Sequence, residues 1–275
     1  MTQLVESFGE KFKLHLHPGE EILSDIIREK GFYSRNDLWV FRSLLSPSAA
    51  MIDVGANLGW HSVAMAKYLC KGFVYAVEPD PTNLSLLNRN ILENELGNVG
   101  VIPMALSNYT GKGRLSLSGA NFGDHILDPQ LLLDVRDVVE VDVNTGDALL
   151  AEPLLETGLE LIKIDAQGSE CKILDGFKSI IQKHQPAVMI EYSPRHIRAA
   201  GDSVFEIFAF IEKNGYFPFQ IVEDLEREPH RLLDFVSIEG LLKATGILLE
   251  RGTGVDLLLV KPAHIERLQQ QGFVL

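Results

Sequence analysis

The sequence predicts an α/β protein built on a mostly parallel, seven-stranded sheet with helices on both faces. Three observations carry this prediction. Short apolar segments of strand length alternate with amphipathic segments of helix length. Two of these apolar segments end in an acidic residue, and a turn with two glycines leads from the first of them into a helix. Strands that alternate with helices form βαβ units, whose strands run parallel in one sheet.

The 275-residue chain is 46% hydrophobic, which is enough for one substantial core. We expect an N-terminal appendage over residues 1–48, a main domain over residues 49–262 and a C-terminal tail over residues 263–275. The appendage contains one alternating segment, which predicts a strand, and two amphipathic segments, which predict helices. These three segments are residues 12–17, 20–30 and 36–45.

The main domain alternates strands and helices in order. The predicted strands are residues 50–54, 73–77, 99–106, 159–164, 187–192, 216–222 and 255–260. The predicted helices between them are residues 58–69, 81–94, 169–183, 203–214 and 238–249. Two insertions interrupt this order, at residues 113–144 and 223–254. The first holds two alternating segments that predict a hairpin-like excursion, and the second would leave the last two strands as an antiparallel edge.

The composition of the chain limits the kinds of molecule that the protein is expected to bind. The chain has 25 basic and 38 acidic residues, for a net charge of −13, whereas a nucleic-acid binder needs basic residues to replace counterions on phosphates. No apolar run approaches the roughly 20 residues that span a bilayer, and the polar first ten residues do not resemble a signal peptide. Two cysteines make no disulfide framework. We therefore expect a cytoplasmic, soluble protein that acts on a small molecule, with no nucleic-acid or membrane partner.

A nucleoside site is predicted where the first two strands of the main domain end. Asp53 ends the first strand, and the turn that follows contains Gly55, Asn57 and Gly59. Asn57 stands where the dinucleotide fingerprint G-x-G-x-x-G has the glycine that lets the backbone approach a pyrophosphate. A side chain at that position favours a ligand without phosphate, such as S-adenosylmethionine. Glu78 ends the second strand, where a carboxylate can bind both ribose hydroxyls.

The roles of the individual residues in this site have alternatives. Asp53 could bind the methionyl ammonium, order the loop or cap the helix, and Glu78 could be a solvated residue at a strand end. Ser107 is the nearest polar group after the third strand and is expected beside the adenine. An NAD-dependent oxidoreductase and a non-catalytic nucleoside-binding protein remain as alternative functions at this point.

Six segments together resemble the FkbM family of methyltransferases. They include Ile52-Asp53-Val54-Gly55-Ala56-Asn57 and Ile162-Lys163-Ile164-Asp165, and they span residues 51–62, 77–81, 88–94, 104–107, 161–170 and 186–191. The resemblance implies a class I methyltransferase (Rossmann-like) fold, S-adenosylmethionine as methyl donor, and methylation of a hydroxyl on a sugar or small metabolite. The family commonly has glutamate at the position of Gln167, so this chain lacks that charge.

Catalytic candidates follow from the need of a hydroxyl acceptor for a general base. Asp165 ends the fourth strand, although it could instead cap the next helix. His125 lies in the first insertion beside Asp124, a pairing suited to proton transfer, but a surface loop is the other interpretation. Glu191 ends the fifth strand and could line the acceptor pocket or pack on a helix. Asp165, Glu191 and Asp124 could in principle bind a divalent ion, but they form no dense set, and we predict no metal.

Two further groups have open roles. Lys163 shares a strand face with Asp165 and could form an internal salt bridge or take part in catalysis. The aromatic residues Tyr33, Trp39 and Phe41 could cover the site, but aromatic residues more often attach an appendage to its domain, and we favour attachment.

Overall fold

The computed structural model describes residues 2–7, 10–19, 22–118, 125–129, 135–154, 157–222 and 233–275. The strands are β1 (Thr2–Ser7), β2 (Glu10–His15), β3 (Ala50–Val54), β4 (Phe73–Val77), β5 (Val99–Ile102), β6 (Ala105–Leu106), β7 (Gly111–Ser118), β8 (Ile126–Leu127), β9 (Val135–Asn144), β10 (Leu159–Ile164), β11 (Ala187–Tyr192), β12 (Phe217–Ile221), β13 (Leu233–Phe235) and β14 (Val255–Val260). The helices are α1 (Ile22–Lys30), α2 (Arg35–Leu44), α3 (Trp60–Tyr68), α4 (Pro81–Glu93), α5 (Gly146–Leu150), α6 (Glu170–Gly176), α7 (Lys178–His184), α8 (Pro194–Ala199), α9 (Val204–Asn214), α10 (Ile238–Arg251) and α11 (Pro262–Gln270).

The main sheet has the strand order β13-β12-β14-β11-β10-β3-β4-β5. From β11 to β5 the strands are parallel, whereas β14 runs antiparallel to both of its neighbours. The predicted seven-stranded, mostly parallel sheet with an antiparallel edge is therefore confirmed. The short strand β13, which the sequence pattern does not predict, adds an eighth strand beside β12.

The third predicted strand is shorter than expected. It ends at Ile102 because Pro103 has no amide hydrogen to continue the ladder, and the amide of Met104 turns back to the carbonyl of Ile102 at 3.0 Å. The following residues form β6, which belongs to a second sheet of order β6-β9-β7-β8. The strands β7 and β9 pair antiparallel, so the predicted hairpin-like excursion is confirmed. Residues 119–124 and 130–134 of this excursion, and residues 223–232 of the second insertion, lie outside the described residues.

Other differences are local. The predicted helix at residues 169–183 is divided into α6 and α7 at Phe177, whose fully buried ring packs against the start of α5. The predicted N-terminal strand begins at Glu10 and pairs with β1, which was not predicted. The first two residues of the predicted helix 20–30 lie outside the described residues. The C-terminal tail, for which no element was predicted, contains most of α11 and buries Leu268 and Phe273.

Buried hydrophobic clusters cover both faces of the main sheet. One face is covered by the appendage, α3 and the C-terminal segment, and includes Phe12, Phe41 and Trp60. The other face is covered by α6 to α10 and includes Phe177 and Phe208. Within the described part of the chain, no helix has the length and apolar character needed to cross a bilayer.

Candidate active site

A cavity of about 260 Å³ lies at the carboxyl ends of the parallel strands, where open α/β sheets bind ligands. Residues from the ends of β3, β4, β10 and β11 line it, together with residues of the appendage and of the second sheet. Most of the predicted site residues meet there, namely Gly55, Asn57, Glu78, His125, Asp165 and Glu191. The other three, Asp53, Gly59 and Ser107, lie behind the cavity wall or beside it.

Gly55 allows two strand ends to approach each other closely. Its φ angle is +77°, and a Cβ atom at this position would lie 1.9 Å from the carbonyl oxygen of Asp165. The amides of Gly55 and Ala56 both donate to the carbonyl of Val77 at 3.0 Å. A single residue thus brings the turns after β3, β4 and β10 together, and only glycine fits there.

Asn57 closes the start of α3 to phosphate. It has a φ angle of +51°, which asparagine tolerates better than most residues. Its side-chain oxygen accepts the amide hydrogen of Leu58 at 2.6 Å, so this amide is occupied. The side chain lines the cavity at the place where a dinucleotide site has glycine.

Glu78 is almost fully buried, and its two oxygens accept different backbone amides. Oε2 accepts from Asn57 at 2.7 Å and Oε1 accepts from Asp80 at 2.9 Å. Burial raises the pKa of Glu78 to about 7, although these two hydrogen bonds oppose the rise. The side chain of Asn83 makes a third hydrogen bond to this carboxyl group. A carboxylate has about four lone-pair sites, so Glu78, which lines the cavity, can still accept a hydroxyl donor from a ligand.

Asp53 and Lys163 form a buried ion pair beneath the cavity. They are opposite each other in the parallel register of β3 and β10, and Lys163 Nζ lies 3.1 Å from Asp53 Oδ1. Ser62 also donates to Asp53 at 2.6 Å. Burial, the largest influence, would raise the pKa of Asp53, but the charge of Lys163, the nearby His61 and the hydrogen bonds from Ser62 and Lys163 together hold the pKa below its usual value. Asp53 therefore lies behind the cavity wall, where Lys163 forms the internal salt bridge with it.

Ser107 and Gly59 pack against other parts of the protein and do not line the cavity. Ser107 is fully buried, its amide donates to the carbonyl of Asn144 at 3.0 Å, and it does not line the cavity. The prediction that Ser107 lies beside the adenine is therefore not supported, because β6 turns it into the second sheet; Met104, Ala105 and Leu106 line the cavity instead. Gly59 precedes α3 with a φ angle of +96°, and a Cβ atom there would lie 2.7 Å from Leu87 Cδ1.

Asp165, Gln167 and Glu191 are joined by hydrogen bonds at the other end of the cavity. The Gln167 amide nitrogen donates to Asp165 Oδ1 at 3.0 Å and to Glu191 Oε2 at 2.8 Å. Lys163 Nζ lies 3.7 Å from Asp165 Oδ2. The Asp165 side chain is 38% exposed, which leaves it accessible to a ligand.

Glu170 fixes the turn that carries these residues. It is fully buried, and its Oε1 accepts the amide hydrogen of Ala166 at 3.1 Å. Burial raises its pKa to about 8. Asp165 does not cap α6; the turn is instead held by Glu170 and by Gly168, whose φ angle is +100°.

His125 lines the cavity, but both of its ring nitrogens face protein groups. Nδ1 accepts the amide hydrogen of Ser118 at 3.1 Å, and Nε2 lies 3.9 Å from Asp80 Oδ2. Since Nδ1 accepts, the proton resides on Nε2 in the neutral ring. The ring therefore presents no lone pair to a substrate, which argues against the predicted role of His125 as base. Asp124, its predicted partner, lies outside the described residues.

Sequence reasoning missed a histidine–carboxylate pair in the cavity wall. His61 on α3 lies with Nε2 3.4 Å from Oδ2 of Asp37 on α2, and both residues line the cavity. No motif marks the pair, because it depends on how α2 packs on α3.

The appendage also contributes an aromatic residue to the cavity. This residue, Tyr33, lines the cavity. Burial raises the pKa of its phenol, and the nearby negative charges of Asp165, Asp256 and Asp37 raise it further. The predicted attachment role holds for Phe41, which is fully buried in the core. Among the described residues, no group of three or more metal-binding side chains is assembled.

The strand order, with β14 antiparallel between β11 and β12, defines a class I methyltransferase fold with its ligand cavity at the usual sheet edge. A family model described as the methyltransferase FkbM domain matches residues 53–218, and the chain belongs to this family. The match begins at Asp53 and covers all predicted site residues.

Solved structures of methyltransferases are also similar to this chain. Methyltransferase FkbM from Methylobacillus flagellatus KT shares 19% identity with a TM-score of 0.49, over 83% of this chain and 46% of its own length. Precorrin-6y C5,15-methyltransferase from Geobacter metallireducens GS-15 shares 11% identity with a TM-score of 0.44, over 82% of this chain and 87% of its own length. M. jannaschii TYW2, in complex with AdoMet, shares 14% identity with a TM-score of 0.39, over 94% of this chain and 84% of its own length. The chain thus spans about half of the Methylobacillus protein, and no curated protein matched it.

Proposed function

We propose that this protein is an S-adenosylmethionine-dependent methyltransferase that methylates a hydroxyl oxygen of a sugar or another small metabolite. The observation that carries the proposal is one cavity with two chemically distinct ends. In the strand order, Asn57 and Glu78 line one end, after β3 and β4, and Asp165 and Glu191 line the other, after β10 and β11.

The first end suits S-adenosylmethionine. Glu78 offers carboxylate oxygens for ribose hydroxyls, and Met104, Ala105 and Leu106 offer apolar surface for the adenine. Asn57 lines the cavity where a dinucleotide site has glycine, and its side chain occupies the Leu58 amide, which disfavours an NAD-dependent oxidoreductase. When bound, S-adenosylmethionine supplies an electrophilic methyl group on a sulfonium.

The second end suits an acceptor hydroxyl. Asp165 is the accessible carboxylate there and can accept the proton that the hydroxyl loses as its oxygen is methylated. Glu191 can accept a second hydrogen bond from the substrate and so fix its orientation. Lys163 Nζ, 3.7 Å from Asp165 Oδ2, can help to hold the orientation of this carboxylate.

A methyl-transfer assay tests this proposal. Labelled donor is incubated with a panel of neutral monosaccharides, polyols and phenols, and we expect the label on an oxygen of at least one class. Asp165→Asn should lower turnover by about 10²- to 10⁴-fold, because the amide keeps the shape of the side chain but cannot accept the proton. The affinity for S-adenosylhomocysteine should stay within about threefold, since no donor-binding group is removed.

Asp175→Asn is the matched control, because Asp175 is an exposed aspartate on α6 that forms its ion pair with Lys178 and does not line the cavity. It should turn over like the wild type. Full activity of Asp165→Asn, or label found only on nitrogen acceptors offered alongside the panel, would refute the assigned chemistry.

A further inference from the structure

Gln167 occupies an unusual position between two carboxylates. It is 7% exposed, and its φ angle of +51° is in the left-handed region that side chains rarely adopt. The amide nitrogen donates one hydrogen bond to Asp165 at 3.0 Å and one to Glu191 at 2.8 Å. A neutral side chain thus bridges the turn after β10 and the end of β11.

The chemistry of the three groups fixes the orientation of this amide. Two carboxylates can only accept, so the Gln167 NH2 group must face them both. Hydrogen bonds from a donor to an ionised acceptor are the strong ones, and they compensate for the left-handed backbone. Because both acceptors share one nitrogen, the carboxylates are neighbours, and without a donor between them one would take up a proton.

We propose that Gln167 is a positioning residue for methyl transfer, which holds Asp165 and Glu191 side by side in the ionised state at the acceptor end of the cavity. The inference rests on the proposed function in one respect, namely that an ionised Asp165 is the proton acceptor. Gln167 itself transfers no proton.

The surrounding charges make the added charge of a glutamate costly. Lys163 is the cation nearest to Asp165 in the described structure. The acidic or weakly acidic groups that face this cluster from the neighbouring elements are Asp256 on β14, Tyr33 and Asp37 from the appendage, and Glu170 on α6. A third carboxylate between Asp165 and Glu191 would therefore bind a proton at a pH at which a free glutamate is ionised.

The test is the pH dependence of the melting temperature of Gln167→Glu against wild type. The folded variant keeps a proton that the unfolded chain releases above roughly pH 4.5, so its stability falls as pH rises. We expect the difference in melting temperature between wild type and Gln167→Glu to be larger at pH 8 than at pH 5 by about 3 °C or more. The ionisation of Glu78 and Glu170 also lowers the stability of the protein as pH rises. Both residues are present in the variant and in the wild type, so their contributions cancel in the difference.

Two variants separate charge from shape. Gln167→Met removes both hydrogen bonds without adding a charge, and Gln185→Glu adds a charge at an exposed glutamine with a φ angle of +47°. Gln167→Met should also show a difference that widens with pH, because without the donor one of the two carboxylates takes up a proton in the folded state, whereas Gln185→Glu should not. A gap that is equal at pH 5 and pH 8 would overturn the inference, because a purely steric cost does not depend on pH.

Calorimetric titration with S-adenosylhomocysteine keeps this result distinct from the proposed function. We expect Gln167→Met to bind within about threefold of wild type, since Gln167 serves the acceptor end. A tenfold loss would assign Gln167 to the donor end and contradict the proposal. The melting experiment uses neither donor nor acceptor, so its failure leaves the methyl-transfer assay as an independent result.

Discussion

Replacing Lys163 by methionine should lower the free energy of unfolding by about 3–5 kcal/mol, because it leaves a buried carboxylate without its partner. Asp53 is fully buried, and Lys163 is the cation that pairs with it at 3.1 Å. The substitution also removes a contact with Asp165 and a hydrogen bond to the carbonyl of Gly55. Urea unfolding followed by circular dichroism measures the effect.

Two comparisons sharpen this first prediction. Lys243→Met breaks an exposed pair with Glu239 and should cost less than about 0.5 kcal/mol. The double variant Lys163→Met, Asp53→Asn should recover part of the loss, because no charge is then left buried. A loss below about 1 kcal/mol for Lys163→Met alone would show that the pair does not hold the two strands together.

Gly55→Ala is the second change with a large expected effect. The new Cβ atom would lie 1.9 Å from the carbonyl oxygen of Asp165, and the φ angle of +77° is strained for any side chain. Backbone on both sides must move, so we expect a loss of at least about 3 kcal/mol in urea unfolding, from the left-handed conformation and overpacking together. Binding of S-adenosylhomocysteine should be lost with it.

Gly97→Ala is the matched control for Gly55→Ala. A Cβ atom added at Gly97 would meet no other atom within 4 Å, so the unfolding free energy should change by less than about 0.5 kcal/mol. If Gly55→Ala were as stable as Gly97→Ala, the close approach of the turns after β3 and β10 would be refuted.

Apolar runs and strand-end residues were predictable from the sequence because their signals are local. The strands β3, β4 and β14 lie at the predicted residues, since each is a short, mainly apolar and largely buried segment. The turn residues Gly55 and Asn57 and the acid Glu78 follow directly from these strand ends, and the structure brings them into one cavity.

Pairings between distant elements were not predictable. The contact of Asp53 with Lys163 depends on the register of two parallel strands that are far apart in the sequence. His125 meets Asp80 only because the second sheet folds back to the start of α4. The pair of His61 and Asp37 and the bridge made by Gln167 likewise arise from packing, and no spacing in the sequence announces them.

Calorimetric titration of S-adenosylhomocysteine into the wild type and Glu78→Ala tests the central claim most directly. We predict one binding site per chain for the wild type and at least about tenfold weaker binding for Glu78→Ala, because the carboxylate that accepts the ribose hydroxyls is gone. Glu239→Ala, which changes an exposed glutamate, should bind like the wild type. No binding to the folded wild type, or undiminished binding to Glu78→Ala, would contradict a methyl-donor site in this cavity.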